Sequence, residues 1–207
     1  EGNVTVTATT YEDGAVPSGS AHKSGQCVVI VKTQQNPVVV GGYYYSDGTW
    51  GTEAQPSGKS VIGVIFSTAS AVLGDSMLSS DGYSACVNGL AVSTVEYTSK
   101  FGYIATGTVS AGQWFINNGY DNINTTKPNG YSNTKGLIAY DAEKDPNHTN
   151  VSEAVAQIPA KHTATVSSPE GASTWYIPSY YEMSLLYQNM SDVNSALSAV
   201  SGAQISA

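Results

Sequence analysis

The chain has 207 residues, which is enough for one large domain or two small ones. Its 8 basic residues are all lysines and stand against 16 acidic residues, so the formal charge is −8. Phosphate and nucleic-acid sites depend on arginine forks and positive charge, and anionic lipid surfaces repel an acidic chain. No apolar run approaches the roughly 20 residues that span a bilayer. We therefore expect neither nucleic-acid binding nor membrane insertion.

The uncharged polar residues and the tyrosines are typical of an exported, β-rich protein. The chain has 21 glycines and 14 tyrosines, and only 12% of its residues are charged, about half the usual share. No signal peptide is visible at Glu1, so for an exported protein we expect this to be the processed form. Cys27 and Cys86 allow at most one disulfide. Because Cys27 lies in an apolar run, burial as a free thiol is an equal alternative.

The first half of the chain is predicted to be β-structure. Residues 4–10 alternate with period two, and residues 26–33 form a nearly continuous apolar run. Asp47 and Gly48 supply the positive-φ positions that a two-residue hairpin turn needs. Further extended stretches are predicted at residues 38–45, 61–66, 85–95 and 103–108.

Helical signals begin near residue 130. Residues 132–134 give a start signal, and residues 135–142 have the spacing of a short helix. Asn150 and Glu153 form a capping box that predicts a further helix ending near Gln157.

The end of the chain predicts two more helices. Ser179 and Glu182 form a second capping box, after an extended segment that ends at Pro178. The last helix is predicted to restart at Ser191 or at the residue after it and to close at Gly202. Its apolar face consists of Val193, Ala196, Leu197 and Val200. Strands followed by short helices predict an α+β fold.

No spacing of catalytic or metal-binding residues is specific. The histidines have no cysteine or carboxylate at ligand spacing: His22, His148 and His162. Asp141, Glu143 and Asp145 alternate with the density of a calcium loop, but Pro146 and Ser152 stand where an EF-hand needs glycine and glutamate. We favour a solvated acidic turn over calcium, and we expect no other cofactor and no enzymatic activity.

Aromatic residues beside Asn, Asp and Ser on loops are the candidate ligand-binding residues. An aromatic ring offers an apolar face, and neighbouring amides and hydroxyls offer hydrogen bonds, a combination that suits carbohydrate or protein ligands. The candidates are Tyr44, Trp50, Tyr120, Asn122 and Tyr180. For any single tyrosine, a place in the core or at its rim is favoured over contact with a ligand.

Two parts of the chain resemble surface proteins of gut Bacteroidetes. Residues 42–50 read Gly-Tyr-Tyr-Tyr-Ser-Asp-Gly-Thr-Trp and precede the apolar stretch at 61–66. Residues 129–134 read Asn-Gly-Tyr-Ser-Asn-Thr and precede a Trp-x-x-Pro-Ser-x-x-Glu signature. The signature is similar to that of C-type-lectin-like domains in bacterial adhesins and fimbrial tip proteins. It is carried here by Trp175, Pro178, Ser179 and Glu182.

The resemblance implies a C-type-lectin-like domain over residues 37–207. Residues 1–36 match no known pattern and are predicted to be an N-terminal β segment, either an arm or part of a preceding sandwich. Relatives continue beyond the last helix into closing strands that are missing before Ala207. We expect either a trimmed chain or a partner that supplies strands by edge addition. The signature residues are expected to be structural, with Trp175 and Tyr176 ending a buried strand and Pro178 stopping its ladder.

The function implied by the resemblance is adhesion at the cell surface. The chain would be an exported, outer-membrane-associated or extracellular fimbrial tip-type subunit that binds a glycan or a host or cell-surface protein, with pilus subunits as partners through strand addition. The alternative is a structural assembly subunit of a pilus or phage fibre, without a small-molecule ligand, which unpaired strand edges would favour. A hydrolase acting on surface glycans would require two facing carboxylates in a cleft.

Overall fold

The structure, a computed structural model, describes residues 2–10, 23–31, 37–68, 75–97, 111–120, 126–144, 146–147 and 155–206. The chain divides into two compact units, Glu1–Gln35 and Asn36–Ala207. This boundary lies one residue before the division expected from the sequence, which placed residue 36 in the first segment.

The smaller unit is an antiparallel hairpin. β1 (Gly2–Thr10) pairs with β2 (Lys23–Val31) in unbroken register, from Gly2 opposite Val31 to Thr10 opposite Lys23. The two predicted strands are therefore confirmed, although β2 begins earlier than residue 26. A two-stranded sheet is marginally stable by itself in water. Whether the hairpin is an arm or part of a sandwich stays a prediction.

The larger unit contains a four-stranded antiparallel sheet in the order β4-β3-β5-β6. Its strands are β3 (Tyr43–Tyr45), β4 (Trp50–Gly51), β5 (Val61–Thr68) and β6 (Gly89–Ser93). β5 lies inside the sheet, and residues 62–67 are all buried, as its continuous apolar sequence predicts. β3 and β6 are shorter than the stretches predicted at 38–45 and 85–95. The strand predicted at 103–108 lies outside the described residues.

The turn between β3 and β4 is longer than the predicted two-residue hairpin. Tyr45 N–H donates to Thr49 O at 2.9 Å and Gly48 N–H donates to Tyr45 O at 3.0 Å, which encloses three loop residues. Gly48 has φ +80°, whereas Asp47 stays at negative φ. These bonds define a type I turn followed by a left-handed glycine. Asp47 Oδ1 closes the loop by accepting from Thr49 N–H at 3.0 Å.

Six helices and one 3-10 turn occur among the described residues. They are α1 (Ser76–Ser80), α2 (Ala111–Asn117), α3 (Gly130–Lys144), the 3-10 turn (Val155–Gln157), α4 (Ile158–Thr165), α5 (Tyr180–Gln188) and α6 (Met190–Ala199). α3 begins two residues before the predicted start at 132. α4 was not predicted, because the helix expected from the capping box of Asn150 and Glu153 ended near Gln157; both capping residues lie outside the described part of the chain. Helices with an antiparallel sheet are consistent with the α+β prediction.

The core forms where the last two helices cover the sheet. Val64 of β5 and Val193 and Leu197 of α6 are completely buried. The hydroxyl of Tyr43 donates to Ala196 O at 3.4 Å, which ties β3 to α6. The predicted apolar face of α6 is thus confirmed, and its contacts place the tyrosine-rich strand and the C-terminal helices in one hydrophobic core.

Candidate functional site

The predicted ligand residues Tyr44 and Trp50 are partners across β3 and β4. They lie directly opposite each other in the register, and both are half-buried. Lys59 contacts neighbouring residues of the same hairpin, with its Nζ atom 4.2 Å from the centre of the Tyr45 ring and 3.5 Å from Asp47 Oδ2. Burial raises the pKa of the Tyr44 hydroxyl, which stays protonated at neutral pH. The pair forms a small aromatic surface on β4, at one edge of the sheet, and on the neighbouring strand β3.

The other predicted ligand residues lie elsewhere. Tyr180 is the first residue of α5 and is 72% exposed. Tyr120 follows α2 and stacks on Trp114 with ring centres 5.9 Å apart. Asn122 lies outside the described residues. The structure therefore pairs Tyr44 with Trp50 and places Tyr120 and Tyr180 in separate surroundings.

The predicted capping box begins α5. Glu182 N–H donates to Ser179 Oγ at 3.3 Å, and Ser179 N–H donates to Glu182 Oε2 at 2.6 Å. The hydroxyl of Tyr176 donates to the other carboxylate oxygen at 3.0 Å. Glu182 is only 2% exposed, and burial raises the pKa of its carboxyl despite these donors. The capping box is thus part of the interior rather than a surface cap.

The segment before the capping box is not the predicted strand. Residues 173–179 form no sheet ladder; instead, Ile177 N–H donates to Thr134 Oγ1 at 2.9 Å and the same hydroxyl donates to Ile177 O at 3.2 Å. One side chain of α3 therefore satisfies both polar groups of the Ile177 backbone. The indole of Trp175 lies over β5 at Gly63, where a Cβ atom would be 3.5 Å from its Cη2 atom. The expectation that Trp175 and Tyr176 end a buried strand was wrong.

Asp75 joins the N-termini of two helices. Its Oδ1 atom accepts from Met77 N–H at 3.0 Å and caps α1, and its Oδ2 atom accepts from Ser132 N–H at 2.8 Å in the first turn of α3. A carboxylate placed at helix N-termini satisfies N–H groups that lack a partner within the helix and interacts favourably with the helix dipole. Asp75 is buried and thus fixes α1 against α3.

A groove of about 400 Å³ lies between α3, α4 and the segment that contains Trp175. It is lined by Tyr131, Thr134, Lys135, Ile138, Pro159, Ala160, Thr163, Thr174, Trp175 and Tyr176. Trp175 packs edge-on against His162, which is 5% exposed, with ring centres 4.8 Å apart. Within the described part of the chain, both imidazole nitrogens and Trp175 Nε1 have no hydrogen-bond partner. Burial lowers the pKa of His162, so its ring is neutral at pH 7.

An aromatic cluster joins α2 to α3. Phe115 and Tyr140 are its buried members, and Trp114 and Tyr120 are its half-buried outer members. Gly136 lets the rings approach α3, because a Cβ atom there would lie 3.1 Å from both Phe115 Cε2 and Tyr120 Cγ. The rings of Trp114 and Tyr120 are inclined by 15°, which is an offset stack.

A carboxylate borders this cluster. Trp114 Nε1 donates to Glu143 Oε2 at 2.9 Å, and Lys144 Nζ pairs with Glu143 Oε1 at 2.5 Å. The hydrogen bonds from Lys144 and Trp114 lower the pKa of the Glu143 carboxyl, which is therefore ionised at neutral pH. Tyr120 is among the ligand residues predicted from the sequence, whereas Trp114 is not. The signal was present, since Gln113 precedes Trp114, and Asn117 and Asn118 follow it in the segment that leads to Tyr120.

The acidic turn considered for calcium is only partly described. Asp141 is buried and Glu143 bonds Trp114 and Lys144, whereas Asp145 lies outside the described residues. In the described ranges, no group of three or more His, Cys, Asp or Glu side chains is placed to hold a metal ion.

Two further observations concern the cysteines and the membrane. Cys86 is a free thiol whose Sγ donates to Gly171 O at 3.3 Å, whereas the side chain of Cys27 is not among those that the structure describes. None of the helices in the described ranges has the length and apolar character needed to cross a bilayer.

Comparison with known proteins gives one informative likeness. The chain matches the crystal structure of a fimbrial protein from Bacteroides ovatus ATCC 8483 with a TM-score of 0.56 and 25% sequence identity. The match covers 79% of this chain but 38% of the fimbrial protein, so the chain spans well under half of that protein's length. No protein-family model and no curated protein matches the chain. The likeness supports the fimbrial part of the resemblance seen in the sequence.

Proposed function

We propose that the chain is part of a fimbrial-type surface subunit whose larger unit is a C-type-lectin-like domain used in adhesion. The observation that carries this proposal is the structural likeness to the Bacteroides ovatus fimbrial protein over 79% of the chain. The Trp-x-x-Pro-Ser-x-x-Glu signature supports it, because its Ser179 and Glu182 form the buried capping box that fixes α5 beside α3. The proposed place of action is the outer surface of the cell, and the proposed role is binding without catalysis.

Adhesion requires a surface that binds a glycan or a protein. Half-buried aromatic side chains supply two such surfaces, the Tyr44–Trp50 pair on the sheet and the Trp114–Tyr120 stack beside α2. Rings fixed by packing lose little conformational entropy when a ligand covers them, which favours binding.

The second candidate is a purely structural assembly subunit of a pilus. It is favoured by the edge of the sheet: in the part of the chain that the structure describes, β6 pairs with β5 on one side and with no strand on the other. A five-residue edge strand with unpaired backbone groups can accept a strand from a neighbouring subunit. This candidate predicts filaments and no affinity for a separate ligand.

Surface labelling tests the shared part of both candidates. An epitope-tagged copy of the full-length gene is expressed in a fimbriate Bacteroides host, and intact cells are labelled with antibody and treated with protease. Label on intact cells, carried on sheared filaments, is expected. Label that appears only after permeabilisation would contradict a fimbrial role.

Ligand binding then separates the two candidates. The purified chain and the sheared filaments are applied to immobilised neutral glycans, anionic glycans and extracellular-matrix proteins. Saturable binding to one class supports adhesion. Filament incorporation with no binding to any class would favour the structural subunit.

A further inference from the structure

The surface formed by Trp114, Tyr120 and Glu143 has the chemistry of a carbohydrate site. Its two rings are nearly parallel and offset by 5.9 Å between centres, so together they present a stepped apolar surface. Pyranose rings carry patches of C–H groups that pack on aromatic faces, while their hydroxyls need hydrogen-bond partners at the rim.

The rings are held in place before any ligand arrives. Phe115 and Tyr140 support them from the buried side; the centres of Tyr140 and Trp114 are 5.3 Å apart in an edge-on contact. The bond from the Trp114 indole to Glu143 fixes the rotation of the indole plane. A preorganised aromatic surface avoids much of the entropy cost of binding.

The polar rim suits hydroxyl groups. A carboxylate has about four lone-pair sites, and Trp114 and Lys144 each donate to one of the two Glu143 oxygens. Its remaining lone pairs can accept from sugar hydroxyls. Asn118, the residue after α2, is exposed and donates its amide to Trp114 O at 2.9 Å, so its side-chain oxygen adds an acceptor near this rim.

The charges near Glu143 favour neutral saccharides over anionic ones. Lys144 is the basic residue at this rim and is paired with Glu143, and the whole chain carries a formal charge of −8. An anionic sugar would place its carboxylate or sulfate beside Glu143 without an arginine to neutralise it, which is unfavourable. We propose that Trp114, Tyr120 and Glu143 form a binding site for neutral oligosaccharides. This inference rests on the proposed adhesive function and names its ligand class.

Titration of the purified chain with neutral oligosaccharides tests the inference. The probes are cellopentaose, maltopentaose and triacetylchitotriose, with sialyllactose as the anionic comparison, and binding is measured by calorimetry and tryptophan fluorescence. We expect saturable binding of at least one neutral probe, weaker binding of sialyllactose, and a fluorescence change that is lost in Trp114→Phe because the responding indole is gone.

Substitutions locate the site. Trp114→Ala is expected to abolish binding, and Tyr120→Ala to weaken it roughly tenfold, since one face of the stack is removed. Tyr187→Ala is the matched control, because Tyr187 is an exposed aromatic residue of α5 that belongs to neither aromatic surface, and its loss should leave affinity unchanged. Near-UV circular dichroism checks the fold of each variant; should Trp114→Ala unfold, Tyr120→Ala, which lies beyond the end of α2, still decides.

Three results would overturn the inference: no neutral probe binds, sialyllactose binds best, or Tyr187→Ala weakens binding while Tyr120→Ala does not. None of these touches the fimbrial role itself, because surface labelling and filament incorporation measure that role without any saccharide.

Discussion

Glu182 and Gly130 share one buried position between α5 and α3. The Oε2 atom of Glu182 overlaps the place where a Cβ atom at residue 130 would stand, and such an atom would also lie 2.8 Å from both Ile177 O and Ser179 N. Two of these three neighbours are backbone atoms, and the third is a carboxylate held by two hydrogen bonds. The capping box can therefore be buried against α3 only when residue 130 is glycine.

Gly130→Ala is expected to destabilise the larger unit. Overpacking against atoms that cannot move away costs about 1–3 kcal/mol, and here α3 must shift away from Glu182 and the backbone of residues 177–179. Urea unfolding followed by circular dichroism measures the change. Gly112→Ala is the matched control: residue 112 is in the first turn of α2 and a Cβ atom there meets nothing within 4 Å, so a gain of up to about 1 kcal/mol is expected. Equal effects of the two substitutions would contradict this account.

The sequence predicted the local hydrogen bonds at the start of α5, but it did not predict the packing of this segment against α3. The spacing of Ser179 and Glu182 is sufficient to predict a capping box, because its two hydrogen bonds join residues three positions apart. That Glu182 is buried against residue 130 depends on packing between distant segments, which has no local sequence signal. For the same reason Trp175 and Tyr176 were assigned to a strand, although the backbone partner of the segment is a side chain of α3.

The candidate ligand residues also show that sequence patterns predict local contacts but not contacts between distant segments. Tyr44 and Trp50 could be related to each other through the intervening turn, and the structure pairs them. Trp114 and Glu143 are 29 positions apart and meet only because α2 packs on α3. An aromatic residue at the surface and one in the core have the same sequence signal, so periodicity alone could not separate Trp114 from Phe115.

Glu182 is expected to make stability depend on pH. Because burial raises the pKa of its carboxyl above the ordinary 4.5, the folded protein keeps a proton that the unfolded chain has already released. The free energy of unfolding attributable to this group therefore falls as the pH rises from about 4.5 through the raised pKa. Glu182→Gln cannot titrate, so the difference in unfolding free energy between wild type and variant should change across this window. A difference that is constant with pH would show that Glu182 titrates normally.

The end of α6 gives a prediction about backbone conformation. The chain leaves α6 in a Schellman motif, with Gly202 N–H donating to Leu197 O at 2.8 Å and Ser201 N–H to Ser198 O at 3.2 Å. The sequence predicted closure at Gly202, but the left-handed residue is Ser201, with φ +56°. A larger residue at position 202 requires Leu197 to shift, because a Cβ atom there would be 2.9 Å from Cδ2 of this buried side chain.

Ser201→Gly is therefore expected to stabilise the protein by about 1 kcal/mol, since glycine adopts positive φ without strain. Gly202→Ala is the comparison and should destabilise it by displacing the buried Leu197. Thermal unfolding of both variants measures the two effects. If Ser201→Gly melts below wild type, the greater entropy that a glycine loses on folding outweighs the relief of backbone strain.

His162 is expected to make the protein sensitive to acid. Its ring is packed edge-on between Tyr97 and Trp175, with centres 5.3 and 4.8 Å away, and burial lowers the pKa below the ordinary 6.5. The unfolded chain then binds a proton before the folded one does, so stability present above about pH 6.5 is lost as the pH falls toward the lowered pKa. His162→Phe keeps a ring between the two aromatic neighbours and removes the titration. Urea unfolding between pH 7 and pH 5, a range close to the ordinary pKa values of the two groups, should thus show a fall in the free energy of unfolding that is smaller in the variant than in wild type. The contribution of Glu182 changes in the opposite direction over this range. Parallel pH profiles for wild type and His162→Phe would contradict the prediction.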